Sequence, residues 1–421
     1  MKVAYVSPLP PERSGIADYS GLLLPALQRR ADVKPVRRGA RRLPRGADVA
    51  FYHIGNNPDA HGWILDLMRR HAKRVPALVV LHEFVLHHLV GGLTLGRGDA
   101  EAYRAALQAE AGPVGRLLGH AVVDGLIPPL WETRAQDFPL ATPVLELTDL
   151  AVVHSNYVEQ RVRSMRFDGP VRRIPMPIWP DPPTTPDAEV AGLGAGVVFG
   201  SIGYLNPSKR IPQLVAAYAR LRDVRSDSVL VLAGAVSRGL ELEPLLARHR
   251  LERGRDVVLI DHVPEERLWA LLSAFDVCVS LRVPTMGETS AMALRALAVG
   301  RPLVVNDLGW FAELPDAVTA KVPVDERETD ALAGVLATLA ADPSRRAAMG
   351  AAARAFVRTE HDPEHSADLY LAAIEEAAGG AAVERAVLDE VARAAQDVGV
   401  DPYGPELEDV GRSAREVGLG G

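Results

Sequence analysis

Gly287-Glu288-Thr289-Ser290 stands between a strand-like run, AFDVCVS, and an alanine-rich stretch, AMALRALAVG, that ends at Gly300-Arg301-Pro302. A helix running from Glu288 to Gly300 would set Gly287, Thr289 and Ser290 at its start. There the backbone N–H groups are free and the helix dipole is positive. Small side chains in that place suit an anion such as a phosphate. Glu288 does not, because two negative charges repel. Its carboxylate makes sense turned sideways, accepting hydroxyl groups. The plainer alternative is a helix start in which Thr289 or Ser290 caps and Glu288 is a first-turn carboxylate. Arg295 follows Glu288 by about two turns. On the same face it would meet a phosphate, a hydroxyl or Glu288 itself; otherwise it is a solvated arginine.

Other stretches look sharper than they are. GAGVVFG places its Gly-Ala-Gly before a strand, whereas a dinucleotide loop must follow one and open a helix. HEFVLHH holds His82, His87 and His88, but the residue four after His82 is Leu86, so the zinc-protease spacing is missing. GETSAMA lacks the glycine spacing of a nucleophile elbow around Ser290. No metal site is expected from these patterns.

The elements that must position the Gly287–Ser290 segment read as strands alternating with helices. KVAYVS opens into the loop PLPPERSG and the helix-spaced IADYSGLLLPALQRR. DVAFYHI, ALVVLHE and LAVVHS follow as strands. A proline-rich stretch from Pro175 to Asp187 marks a boundary. The pattern then restarts with VVFGSIG, the helical KRIPQLVAAYARLR, and the strands SVLVLAG, VVLI, AFDVCVS and RPLVVND. From about Glu328 the chain reads as helical. This predicts an α/β fold of two Rossmann-like domains with parallel sheets, residues 1–180 and 181–365, and a helical C-terminal extension, 366–421. Facing strand ends would form a cleft that suits a reaction between two bound molecules.

Composition sets the limits. The chain has 421 residues, too many for one ordinary α/β core, and 48% are hydrophobic, enough for two. A net charge of −7 argues against a general nucleic-acid binder. The one basic run, Gln28 to Gly46, has eight basic residues and one acid, without interleaved aromatics. Cys278 is the single cysteine, so an inert core thiol is expected rather than a disulfide. No signal-peptide core or spanning run of about 20 apolar residues is present. A cytoplasmic protein is expected, with peripheral membrane contact left open.

With these residues in view, the chain resembles the retaining, nucleotide-sugar-dependent glycosyltransferases of glycosyltransferase family 4, which have the GT-B architecture. The resemblance covers Met1 to roughly Glu375 and is clearest in FGSIGYLNPSKRIPQLVAAYARL and MGETSAMALRALAVGRPLVVNDLGWFAELPD. It implies transfer of a hexosyl-type sugar from a nucleotide-diphosphate sugar to an acceptor hydroxyl on a glycan, a lipid-linked molecule or a small molecule. No cofactor is implied. Lys209, after Gly203, would neutralise the departing diphosphate, with Arg210 and Arg295 as further positive groups. Gly287, Glu288, Thr289 and Ser290 would hold the diphosphate and sugar. Gly15 would let the first loop approach the donor, Asp18 and Tyr19 would reach the acceptor, and His82 would position the sugar with Glu83 beside it.

Two departures accompany the resemblance. The family's paired glutamates lie eight residues apart; here Arg295 takes the second place and Glu288 stands one residue after the first. Tyr204 stands where an arginine commonly precedes the lysine. Metal independence is expected, since the chain has no Asp-x-Asp sequence. Two alternatives stay open: a catalytically silent nucleotide-sugar-binding or scaffolding protein, and a GT-B sugar-nucleotide epimerase or hydrolase.

Overall fold

The structure, a computed structural model, describes residues 1–12, 14–71, 74–165, 167–397, 399–400 and 409–413. Its described strands form two six-stranded, wholly parallel sheets. The first contains β1 (Lys2–Val6), β2 (Asp32–Val36), β3 (Val49–Ile54), β4 (Ala77–Leu81), β5 (Leu150–Val153) and β6 (Val171–Arg173), in the order β2-β1-β3-β4-β5-β6. The second contains β7 (Val197–Ile202), β8 (Ser228–Ala233), β9 (Val257–Ile260), β10 (Val277–Ser280), β11 (Leu303–Asn306) and β12 (Thr319–Val322), in the order β12-β11-β10-β7-β8-β9.

Helices cover both faces of each sheet, so the inner strands must be apolar on both sides. β3, β4, β7 and β8 are buried at every residue, which is why their sequences read as unbroken apolar runs. The strands that sequence reading did not register are β2, β6 and β12, and all three are sheet edges. β2 carries Pro35 and exposes three of its five residues, as an edge strand tolerates. Cys278 lies buried in β10, and burial pushes its thiol up to about 12, as fits an inert core residue.

One apolar cluster runs from Tyr5 and Leu23 through Tyr370 to Leu294 and Val305, joining the layers of both sheets. The helix Pro363–Asp397 makes this possible by returning to the first sheet. There Tyr19 Oη donates to Tyr370 Oη at 2.6 Å, and Arg172 Nε donates to Glu376 at 2.9 Å. The basic run also enters this junction: Arg30 bonds Asp368 at 2.6 Å and Glu364 at 2.8 Å, and Arg29 pairs with Glu364. Part of that run is therefore scaffolding. The proline-rich crossing lies beside the return helix, with Ile178 N–H donating to the His361 carbonyl at 3.0 Å. Residues 401–408 and 414–421 of the expected tail lie outside the described residues. No described helix is long and apolar enough to cross a membrane.

In each sheet the strand order reverses at one point, between β1 and β3 and between β7 and β10. Open α/β sheets bind ligands in the crevice beyond the carboxyl ends at such a reversal. Loops from both reversals here face the same space.

Candidate active site

That space is a cleft of about 1020 Å³ between the sheets. From the first sheet it is lined by Ser14, Gly15 and Asp18 after β1, by Asn56 after β3, and by His82 and Glu83 after β4. From the second come Gly203 and Lys209 after β7, Gly234 after β8, and Arg282, Glu288, Thr289 and Ser290 after β10. Arg295 and Glu265 complete the wall.

Lys209 is aimed by local sequence. Asn206 caps a single turn, Pro207–Lys209, accepting the Lys209 N–H through Oδ1 at 3.2 Å. The side chain folds back so that Nζ donates to the Ile202 carbonyl at the end of β7, 3.0 Å away. Gly203 has φ +120, and a Cβ there would lie 2.7 Å from Nζ. Only glycine leaves the ammonium its place. Burial, then Arg282, brings the Lys209 pKa down to about 8, with Glu288 opposing.

Glu288 does not begin the helix that sequence reading drew through it. The helix is Ala291–Ala298, with Ser290 as N-cap accepting the Ala293 N–H at 3.3 Å. The Glu288 carboxylate instead folds back on its own loop. It accepts Thr285 Oγ1 at 3.1 Å and Met286 N–H at 2.7 Å, and pairs with Arg282 at 3.0 Å. These bonds hold residues 285–289 out of helical geometry. Thr289 is nearly buried, and its Oγ1 has no hydrogen-bond partner among the described residues.

Gly287 does not line the cleft. With φ +80 it sits against the other half of the molecule, where a Cβ would stand 2.6 Å from Phe84 Cβ. The neighbouring Met286 carbonyl accepts the N–H groups of Phe84 and Val85 at 2.9 and 3.0 Å. Gly287 therefore brings the two halves together rather than touching a ligand directly. Gly15, by contrast, faces open space, and a Cβ there would meet nothing within 4 Å.

Two other expected cleft residues are not placed in the cleft. The Arg210 guanidinium is engaged by the buried Glu328 carboxylate, Nε lying 3.0 Å from Oε2. Glu328 also accepts Asn306 Nδ2 at 2.8 Å, and Asn306 Oδ1 accepts the Arg282 N–H at 2.8 Å. Arg210 thus props the wall from behind, because a buried carboxylate needs a cationic partner. Tyr19 is buried and spends its hydroxyl on Tyr370, so it packs beneath the acceptor side rather than reaching into it.

Tyr19 also packs among three histidine rings, those of His53, His82 and His154, with centroids 5.5, 4.8 and 5.7 Å away. His82 Nε2 and His53 Nδ1 share a hydrogen bond of 3.0 Å. Burial holds His53 and His82 well below the usual imidazole value, and nearby His154 adds to this. Burial, and to a lesser degree His361, bring His154 to about 4, against a bond to the Ile174 carbonyl. These rings are neutral packing and positioning groups. No group of three or more His, Cys, Asp or Glu among the described residues could hold a metal ion. Sequence reading singled out only His82. His53 and His154 stand at the same carboxyl ends of β3 and β5, in FYHI and LAVVH, and that repetition was the available signal.

Glu83 accepts Asn56 N–H at 3.2 Å. Burial, then the charge of Glu288 opposite, raises its pKa to about 7. Arg282 was missed although it stands in the loop at the end of β10. Arg295 reaches Asp18 at 3.0 Å and Glu265 at 2.9 Å, between the rings of Trp179 and Trp269 at 5.6 and 5.5 Å.

Residues 193–356, the second sheet and its helices, match the family model for glycosyl transferases group 1. No curated protein matches the chain in sequence. Among solved structures it is similar to sucrose-phosphate synthase from Thermosynechococcus elongatus, at 19% identity and TM-score 0.58, over 90% of this chain and 100% of that one. It is also similar to HepE from Anabaena in complex with UDP and glucose, at 15% identity and TM-score 0.58, over 89% and 100%. A third is the pneumococcal O-GlcNAc transferase GtfA in complex with UDP and GlcNAc, at 13% identity and TM-score 0.51, over 78% of this chain and 57% of that one. The architecture is the GT-B fold, with two Rossmann-like sheets meeting at a cleft.

Proposed function

We propose that this chain is a retaining glycosyltransferase of family 4 type. It moves a hexosyl-type sugar from a nucleotide-diphosphate sugar to a hydroxyl of a glycan, lipid-linked or small-molecule acceptor. The observation that carries the reading is Lys209: an ammonium anchored at the β7 reversal, across from His82 and Glu83 at the end of β4. The family match over residues 193–356 gives that placement its chemical sense.

Breaking a sugar–phosphate bond leaves negative charge on the diphosphate and an oxocarbenium-like sugar. Preorganised positive groups aimed at the growing charge lower that barrier most. In this proposal Lys209, Arg282 and the N-terminus behind Ser290 meet the diphosphate. Thr289 Oγ1 and the Glu288 carboxylate offer bonds to the sugar. Gly15 and Asp18 border the acceptor side with Glu83, and His82 positions the sugar. Arg295 contributes positive charge to the donor side through its place in the wall. The leaving oxygen takes the acceptor proton, and closure of the cleft limits hydrolysis.

We divide the chain accordingly into an acceptor-side unit, 1–180, a donor-binding unit, 181–365, and the crossover helix with its tail, 366–421. The activity is placed in the cytoplasm, with no cofactor and no required metal. Nucleotide release from a panel of nucleotide sugars, with and without acceptors, tests the reading. Transfer with retention at the anomeric carbon, seen by proton NMR and undiminished by chelator, is expected. Binding without turnover would favour a silent nucleotide-sugar binder, and conversion without acceptor an epimerase or hydrolase.

A further inference from the structure

A second cavity, of about 500 Å³, opens at the opposite end of the second sheet's strands. Its lining comes from segments that lead into β8 and β9: Arg220, Arg222, Asp223 and Ser226 before β8, and Arg248 to Leu251, Arg255 and Asp256 before β9. It lies at the amino ends of these strands and shares no lining residue with the cleft. The helix Ile211–Val224 spans the distance, starting just after Lys209 and carrying Arg222 in its last turn. At 1.5 Å per residue this separates the sites by about 17 Å along the helix.

Five arginines and His249 line this cavity against two aspartates. Buried Asp256 organises two of them. It accepts Nε and Nη2 of Arg222 at 3.0 and 2.6 Å, Nε and Nη2 of Arg255 at 3.1 and 2.8 Å, and the Glu252 N–H at 2.8 Å. Those donors saturate the carboxylate, and Arg222 stands mostly buried in the cavity wall. Arg220 pairs with Asp330 at the rim. Arg248 and Arg250 form no ion pair among the described residues, so cationic charge is in excess. A guanidinium fork matches the oxygens of a phosphate, so unpaired arginines lining a cavity favour such an anion. The cavity is the size of a small ligand. No Phe, Tyr or Trp is among its lining residues, so nothing is placed to stack a base.

We propose that this cavity binds a small phosphate ester, held by Arg222, Arg248 and Arg250, at a site separate from the cleft. The ligand is a phosphorylated sugar or similar metabolite rather than a nucleotide. Asp256 holds Arg222 in the cavity wall, and exposed Arg248 and Arg250 close on the ligand.

Isothermal titration of the full chain with glucose 6-phosphate, inorganic phosphate and uncharged glucose tests this. Glucose 6-phosphate should bind saturably, inorganic phosphate more weakly and glucose not at all. Arg248→Ala/Arg250→Ala alters only exposed residues and should weaken binding about tenfold or more, as for loss of charge-assisted contacts. Lys209→Ala should leave it unchanged. Binding unaffected by the double substitution, or abolished by Lys209→Ala, would overturn the proposal. Co-sedimentation with phosphatidylglycerol vesicles provides the other arm. Arginine-dependent vesicle binding without glucose 6-phosphate binding would make the patch a lipid contact and also overturn it.

Discussion

Asp18 and Arg295 join the two halves of the molecule through an ion pair of 3.0 Å across the cleft wall. Asp18 lies in the first turn of the helix Gly15–Gln28, and Arg295 in the helix behind Ser290. Arg295 is 5% exposed, and its Nη2 also meets Glu265 at 2.9 Å. Arg295 is thus part of the link between the sheets.

Arg295→Met keeps much of the apolar stem but removes both ion pairs and the contact with two indole rings. A stability loss of about 1–3 kcal/mol is expected, given the worth of such contacts when largely desolvated. Thermal melting measures it. An unchanged melting temperature would show that the link contributes nothing to the closed arrangement.

Lys209→Ala should lower turnover about 100-fold, with a smaller effect on donor binding, because diphosphate charge grows as the bond breaks. The ammonium carries its charge below its pKa of about 8, so kcat/KM of the parent should fall as pH rises through that value. Equal turnover by both proteins, or no falling limb near pH 8, would remove Lys209 from the chemistry.

Glu288→Gln should preserve the fold, since a glutamine oxygen still accepts from Thr285 and Met286. It should lose the ion pair with Arg282 and the charge-assisted bonds offered to a sugar. Reduced nucleotide-sugar turnover with unchanged free-nucleotide affinity would place Glu288 at the sugar. Weakened nucleotide binding would place it nearer the ribose or base. No change in either would make Glu288 a loop-holding residue only.

Stability should fall on acidification. His61, His154, His87 and His361 are buried with pKa values of about 4, and His53 and His82 lie well below their ordinary value. Between about pH 4 and 6.5 the unfolded chain binds more protons at these positions, so stability rises with pH there. Each contributes a slope of up to about 1.4 kcal/mol per pH unit in that window. Glu83, Glu110 and Glu265 have raised pKa values; their contribution is present at low pH and lost as pH rises, offsetting part of the trend. Urea midpoints at pH 7 and pH 5 should differ clearly, and His154→Gln should reduce the difference. Equal midpoints would mean that the rings are not held neutral.

The sequence by itself determined the two-sheet design. Inner parallel strands are buried on both faces, so β3, β4, β7 and β8 had to be written as unbroken apolar runs. It also marked the Gly287–Ser290 segment as a candidate, because that segment follows a strand and precedes a helix, whereas Lys209 was a candidate only through the resemblance to family 4 glycosyltransferases. Edge strands such as β2 carry no such pressure and were not legible. Tertiary structure alone decided which side chains share the cleft. Arg210 and Lys209 are adjacent in sequence, yet a buried Glu328 far along the chain draws one away while the end of β7 holds the other. Tyr19 and Asp18 divide in the same way, one turned into the core by Tyr370 and one out to Arg295. Local pattern sets which element a residue joins; the direction its side chain faces depends on buried partners that only folding brings near.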